Sequence, residues 1–424
     1  MKQETIYFGN TLLLPDQPYH DTFLKFMSNI FRWARYIGIA GSSNLWQLWT
    51  IVLICMLLVV ECGAIWKVIR ALAGLAIDTA NHRSVTARLA GAMFYASSLI
   101  SLVLCCRLSY KWKTLSKYWA SVEWMLTVKY VPQDPSIRKR LIAVTIFISL
   151  GTIVEHLVSI LASTGTDCPI TEFLRTYILK SHGFLFKDQD YYYVIAVPVF
   201  LTSNVATMLW NFQDLVIILI SMGLASRYRR LNECVAGVCL KLSKEKNIRD
   251  EEVLHVYLWR KIREAYVKQA LLVRKMNTAL GLLVVFSNFF SFYFICLQLF
   301  LGITQGITGD AIQQMHYLVS LSWICARTCC VVLAAAGIHE HSKRALPYLF
   351  ECKGQFYNIE MERLQHQLSK DYIALSGLDF FNLTRSVLLQ VASSVITYVL
   401  VLVQYDNRSD DQPQNGTSMT ESLK

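Results

Sequence analysis

The chain has 424 residues, 54% of them hydrophobic and only 17% charged, against about a quarter charged in an average globular protein, and its mean hydropathy is +0.37. That balance argues against a soluble enzyme. The net charge of +11 does not mark a nucleic-acid binder either, because the 41 Lys and Arg fall in segments between apolar runs and form no single patch.

In chain order, residues 1–44 read as a cytoplasmic N-terminal segment. Met1 to Asn10 is polar and no apolar core with a small-residue cleavage site follows, so the first span is expected to act as its own targeting signal. Seven apolar stretches follow, at 45–66, 89–106, 141–163, 193–226, 279–303, 317–337 and 386–405, each of a length that crosses a bilayer as a helix. The expected fold is therefore an all-α membrane protein of seven transmembrane helices. Residues 45–338 hold spans 1 to 6, and the proline-free stretch 227–278 continues spans 4 and 5 as cytoplasmic helices. Residues 339–385 form a cytoplasmic segment with an amphipathic helix around Ile359 to Leu368, expected to serve assembly. Span 7 occupies 386–405, and 406–424 is a polar tail expected to be disordered.

Lys and Arg between spans number 4, 4, 8, 3, 13, 0, 6 and 2 from N- to C-terminus, so alternate segments beginning with the first hold 31 and the others 9. The positive-inside rule then places the N-terminus in the cytoplasm and the C-terminus outside, the reverse of a G-protein-coupled receptor. Acceptor tripeptides at Asn407 and Asn415 agree with an outer tail, although Asn382 carries a third on the side read as cytoplasmic. Of the twelve cysteines only Cys168 is expected outside, so no intrachain disulfide is expected. Neither a metal site nor a cofactor motif is found.

The outer halves of spans 3 to 6 are rich in polar and aromatic residues. Aromatic rings cover the C–H face of a sugar ring while carboxylates and amides pair with vicinal hydroxyls, so this chemistry suits a small polyol better than an odorant or a peptide. Glu155 and His156 stand out, because adjacent ionisable residues in a span are costly unless paired, hydrated or functional. Trp210, Asp214, Asn288 and Trp323 complete the expected ligand-binding set, with Asp214 equally suited to locking spans together. Tyr191 to Tyr193 fit an interfacial belt better than ligand contact, and Arg327 reads as structural. Span 7 suits a pore wall, since Ser393, Thr397, Val401 and Tyr405 fall on one stripe with Gln404 beside it.

The closing stretch Thr397-Tyr398-Val399-Leu400-Val401-Leu402-Val403-Gln404-Tyr405 resembles the signature that ends insect gustatory receptors: Thr-Tyr, five mostly apolar residues, then Gln-Phe. Phe380 to Arg385 is similar to the stretch before the last span in the sugar-receptor subgroup, and Trp210 to Leu215 with Arg227 to Asn232 is similar to that subgroup's fourth span. Glu155-His156 resembles its third-span pair. The resemblance implies a plasma-membrane, ligand-gated, nonselective cation channel. It implies a homotetramer, or a heteromer with related gustatory receptors, with a central pore lined by the last span. It also implies a sugar pocket among spans 2 to 6 and gate residues at Gln404 and Tyr405, with Val401 lining the pore below. Tyr405 departs from the usual Phe, and Val399 stands where the subgroup commonly has Glu. The competing expectation is a metabotropic seven-span receptor coupled to G proteins, against which the reversed topology speaks.

Overall fold

The computed structural model describes residues 22–41, 43–73, 85–126, 134–183, 185, 189, 191–244, 252–304, 310–352 and 357–410. In chain order the helices are α1 (Thr22–Trp33), α2 (Asn44–Leu72), α3 (Val85–Leu126), α4 (Ile137–Thr164), α5 (Ile170–Ser181), α6 (Tyr193–Lys244), α7 (Glu252–Thr304), α8 (Ala311–Lys343), α9 (Leu346–Phe350), α10 (Ile359–Lys370) and α11 (Arg385–Asp410). Long apolar segments become helices because a helix satisfies its backbone N–H and C=O groups within itself, as a bilayer requires. Six of these helices, α2, α3, α4, α6, α7 and α8, are long and apolar enough to cross a membrane, and they match the first six expected spans. The seventh, α11, has 26 residues, and its described apolar part covers Arg385–Val401.

α6 is the central helix. In its most apolar stretch 72% of residues are buried, against 17% in α4, whose Ile146, Ile153 and Leu157 face outward. The expected continuation of spans 4 and 5 is present, as α6 runs to Lys244 and α7 begins at Glu252. At this end of the bundle, the base, buried carboxylates join the helices. Glu123 of α3 pairs with Arg227, at 3.0 Å, and with Arg230 of α6. Asp134, just before α4, accepts hydrogen bonds from Ser136 (2.8 Å) and Ser226 (2.5 Å) and pairs with Arg140 and Arg229. Burial alone would raise the Asp134 carboxyl, but those hydroxyls and guanidinium groups outweigh it and hold the group below its ordinary range.

α10 lies against α7 at the base, burying Met361, Leu364 and Leu368 on one face. Its start is fixed by Asn358, whose side chain accepts from the Met361 N–H at 3.0 Å. Between α10 and α11 a two-residue antiparallel ladder, β1 (Ser376–Gly377) with β2 (Phe381–Asn382), modifies the all-helical expectation. Leu378 and Asp379 turn the chain with φ of 50° and 62°, the left-handed pair of a type I′ turn, closed by the Phe380 N–H donating to the Gly377 carbonyl at 3.0 Å. Asn277 of α7 clasps this hairpin, donating to Ser376 Oγ (2.8 Å) and accepting from the Ser376 N–H (2.7 Å).

The tail departs from expectation at its start. Residues 406–410 continue α11, because neither glycine nor proline intervenes before Pro413. Asn415 and the rest of the tail lie outside the described residues, as do the side chains of Tyr405 and Asn407.

Candidate ligand-binding site

Three helices turn polar stripes toward one another at the end of the bundle opposite the base. Along α6, Ser203, Thr207, Trp210 and Asn211 recur at helical spacing; along α8, His316, Ser320, Trp323 and Arg327 do the same; α4 contributes Glu155, His156 and Ser159. They converge on a cavity of about 280 Å3, closed by Phe94 and Tyr95 of α3, by Tyr177, Ser181 and His182 on and just after α5, and by Phe294 and Gln298 of α7. That volume lies just below the ~300–1,000 Å3 typical of small-molecule clefts. It suits a ligand of one or two rings and is too small for a folded peptide.

The upper wall is a hydrogen-bonded chain. Gln298 Nε2 donates to Ser320 Oγ (3.0 Å), and Ser320 donates to Glu155 Oε1 (3.3 Å). His156 Nε2 meets Asn204 Oδ1 at 2.8 Å, while the Asn204 amide nitrogen donates to the Phe200 carbonyl at 2.7 Å. Because that carboxamide oxygen can only accept, Nε2 is the protonated ring nitrogen of His156. Across the cavity Tyr95 OH and His182 Nε2 lie 2.7 Å apart, and Tyr177 OH lies 3.2 Å from Ser203 Oγ.

The floor is built on Arg327. Its Nη1 donates to Asn211 Oδ1 at 2.6 Å, and the same oxygen accepts from Trp323 Nε1 at 3.1 Å. Its Nε lies 2.8 Å from Asp214 Oδ2, and its guanidinium sits 4.3 Å from the Trp210 ring centre. Asp214 also accepts from Ser287 Oγ of α7 at 2.5 Å. Both charged side chains are fully buried, at 0% and 1% exposure. Trp323 reaches its place by lying against Gly151 of α4, where any Cβ would overlap the indole. Three groups of cavity-lining residues remain buried without a hydrogen-bond partner among the described residues: Trp210 Nε1, Gln298 Oε1 and Arg327 Nη2.

Of the expected ligand contacts, Glu155, His156, Trp210 and Trp323 line this cavity, and Asp214 and Asn288 do not. Asp214 is taken up by the ion pair between α6 and α8, and Asn288 turns onto its own helix, donating to the Val284 carbonyl at 2.8 Å. Arg327, expected to be structural, is both a partner of Asp214 and part of the floor. Tyr95, Tyr177, His182 and Asn211 were not anticipated. Asn211 adjoins Trp210 in a run already marked by Asp214, which is the one signal that pointed to any of them.

Most of the chain has recognisable relatives. A family model described as trehalose receptor matches residues 41–414. The chain belongs to the trehalose receptor family. Among curated relatives, the gustatory receptor for sugar taste 64a of Drosophila melanogaster is 30% identical over 327 residues, covering 74% of this chain and 69% of that protein. The gustatory receptor 5a for trehalose of the same species is 28% identical over 318 residues, covering 74% and 68%. Among solved structures, the insect olfactory receptor OR5 from Machilis hrabei superposes with a TM-score of 0.64 at 14% identity, covering 91% of this chain and all of that one. Its complex with eugenol gives 0.63 at 13% identity. This protein is thus an insect sugar gustatory receptor, a multi-pass chemoreceptor with the fold of the olfactory receptor.

In the receptor α11 buries Val395 and Val399 in a cluster with Phe294 and Ile295 of α7 and Ile324 of α8. Val399 is therefore a packing residue here, at the position where the resemblance leads one to expect Glu. Ser393, Thr397, Val401 and Gln404 are exposed in the single chain.

Proposed function

We propose that the receptor is a sugar-gated, nonselective cation channel, in which a mono- or disaccharide binds in the cavity from the outer face and opens a pore lined by α11. The observation that carries this reading is the set of unpartnered groups in the cavity: two donors, Trp210 Nε1 and Arg327 Nη2, and one acceptor, Gln298 Oε1, in a lining that also holds the indoles of Trp210 and Trp323. Buried polar groups in folded proteins as a rule have a partner, and of those without one among the described residues these three line the cavity. A polyol supplies both donors and acceptors from every hydroxyl, and its C–H faces suit Trp210 and Trp323. Glu155, joined to the wall through Ser320, accepts further hydroxyl protons.

Coupling to the pore follows the packing. Phe294 lines the cavity, contacts Trp210 with ring centres 4.9 Å apart, and belongs to the cluster that holds Val395 and Val399 of α11. A sugar that draws α7 and α8 inward thereby pulls α11 from the pore axis, and the energy comes from tighter sugar binding to the open state. The N-terminus is cytoplasmic and the C-terminus extracellular in this reading, with Gln404 and Tyr405 as the gate and Val401 below it. The assembly is a homotetramer or a heteromer with related receptors, at the plasma membrane. The gate assignment predicts leak current or altered agonist sensitivity in Tyr405→Ala.

Whole-cell recording from cells expressing the chain, with G-protein signalling blocked and mono- and disaccharides applied in turn, tests the proposal. A rapid cation current to one sugar is expected. A response that vanishes with the block would transfer the receptor to the metabotropic class.

A further inference from the structure

The receptor has a second built cavity, of about 520 Å3, near the base between α1 and the beginning of α4. α1 has two working faces. One carries Phe23, Met27 and Phe31, which are buried; Phe23 stacks on Trp119 at 4.5 Å and Phe31 meets Trp112 at 5.3 Å, fixing the helix to α3. The other face presents Lys25, Phe26 and Ile30 to the cavity, opposite Arg138, Ile142 and Ile146 of α4. A cation therefore stands on each wall, and apolar side chains continue both walls along the outward-facing surface of α4.

Both of these cations are exposed. Two residues after Arg138, Arg140 is committed to Asp134, whereas neither Lys25 nor Arg138 has a carboxylate partner among the described residues. Asn29 and Thr22 add hydrogen-bonding groups to the same lining. Trp33, which is exposed, also lines the cavity and suits the interfacial layer of a bilayer, where amphipathic rings collect. An amphipathic helix with basic residues on its outer face is the form that lies in a membrane surface.

We propose that this cavity binds one anionic glycerophospholipid, its phosphate between Lys25 and Arg138 and an acyl chain along Phe26, Ile30, Ile142 and Ile146. A free phosphate would satisfy the two cations and leave the apolar walls bare, so the lipid is the ligand that the whole lining fits. The leaflet that supplies it follows from the topology proposed above, on which binding itself does not depend.

Native mass spectrometry of the full-length receptor in detergent, titrated with phosphatidylserine or with phosphatidylcholine of the same chains, tests the site. Phosphatidylserine is expected to bind preferentially, and the Lys25→Gln/Arg138→Gln variant to bind it at least about tenfold more weakly, from the attraction of two basic side chains. The Arg35→Gln/Lys139→Gln variant, which removes two nearby charges outside the lining, is expected to keep the preference. Equal losses in the two variants would reduce the effect to general surface charge and overturn the proposal. So would equal binding of the two lipids. Glycerophosphoserine is expected to compete poorly; competition as strong as that of the whole lipid would show a phosphate site instead. Because sidedness plays no part in detergent, a wrong topology leaves these outcomes unchanged and is read separately, from antibody access to an N-terminal epitope on intact cells.

Discussion

The Asp214–Arg327 pair and the Glu155 carboxylate show how similar residue types in one bundle take different work. Asp214 and Arg327 are fully buried and joined at 2.8 Å, so removing either leaves an uncompensated charge, at a cost of about 3–5 kcal/mol. Asp214→Asn and Arg327→Met are each expected to cut surface expression strongly. The double variant Asp214→Leu/Arg327→Met should restore much of it, as replacing both members of a buried pair often does, while its sugar response stays lost because Arg327 also floors the cavity. Glu155→Gln and Trp323→Phe, which keeps the ring packed on Gly151, should instead reach the surface normally and raise the half-maximal sugar concentration about tenfold to a hundredfold, the scale of one or two lost hydrogen bonds to a charged or buried group. Surface biotinylation read beside dose-response curves separates the two classes, and unchanged curves in both cavity variants would mean that the ligand sits elsewhere. Glu155, His156 and Trp210 were legible in sequence because such groups are conspicuous in an apolar span. The partner of Asp214 was not, since Arg327 lies far along the chain and no spacing rule joins two separate helices.

At the scale of the elements, the base of the bundle is set by charge. Asp134 ties α4 to α6, and Glu360 of α10 ties to α7 through Arg263 at 2.7 Å. The hydrogen bond from Arg263, and then that from Arg363, hold the Glu360 carboxyl below its ordinary range against the effect of burial. Both carboxyls titrate lower folded than unfolded, so their stabilisation is present above the unfolded value, about 4, and is lost as pH falls through the folded one. Thermal stability of the detergent-solubilised receptor should therefore vary little with these groups from neutral pH to about 5 and decline below about 4. Asp134→Asn should lower stability at neutral pH and make the acid decline shallower; an unchanged acid limb would remove Asp134 from that role. The elements themselves were unequally readable. α10 followed from its apolar spacing, but α5 is a 12-residue helix whose Tyr177 and Ile178 are buried only by neighbours. The hairpin before α11 turns at Leu378-Asp379, and its glycine, Gly377, stands one place before the left-handed positions, so the usual sequence mark of a tight turn is displaced.

Over the whole molecule, the proposed pore would need the last helix of more than one chain. Successive residues on a helix are turned by about 100°, so Ser393, Thr397 and Val401 face nearly opposite to Val395 and Val399, which are buried against α7 and α8. In an isolated chain that stripe would face lipid, with the Thr397 hydroxyl donating to the Ser393 carbonyl of its own helix at 3.0 Å. Around a symmetry axis the same stripe from each copy faces water, with small and polar groups outlining a channel. The two faces of α11 can then be told apart chemically. In a background where parent currents resist a charged, water-soluble thiol reagent, Thr397→Cys and Val401→Cys should be modified and lose current, faster when sugar is present. Val395→Cys and Val399→Cys, packed against neighbouring helices of the same chain, should react slowly or not at all. Equal rates on both faces would mean that α11 does not wall the pore, whereas sugar-dependent modification confined to the exposed stripe would place the conducting path on the symmetry axis and leave the outer cavity of each chain as the site that controls it.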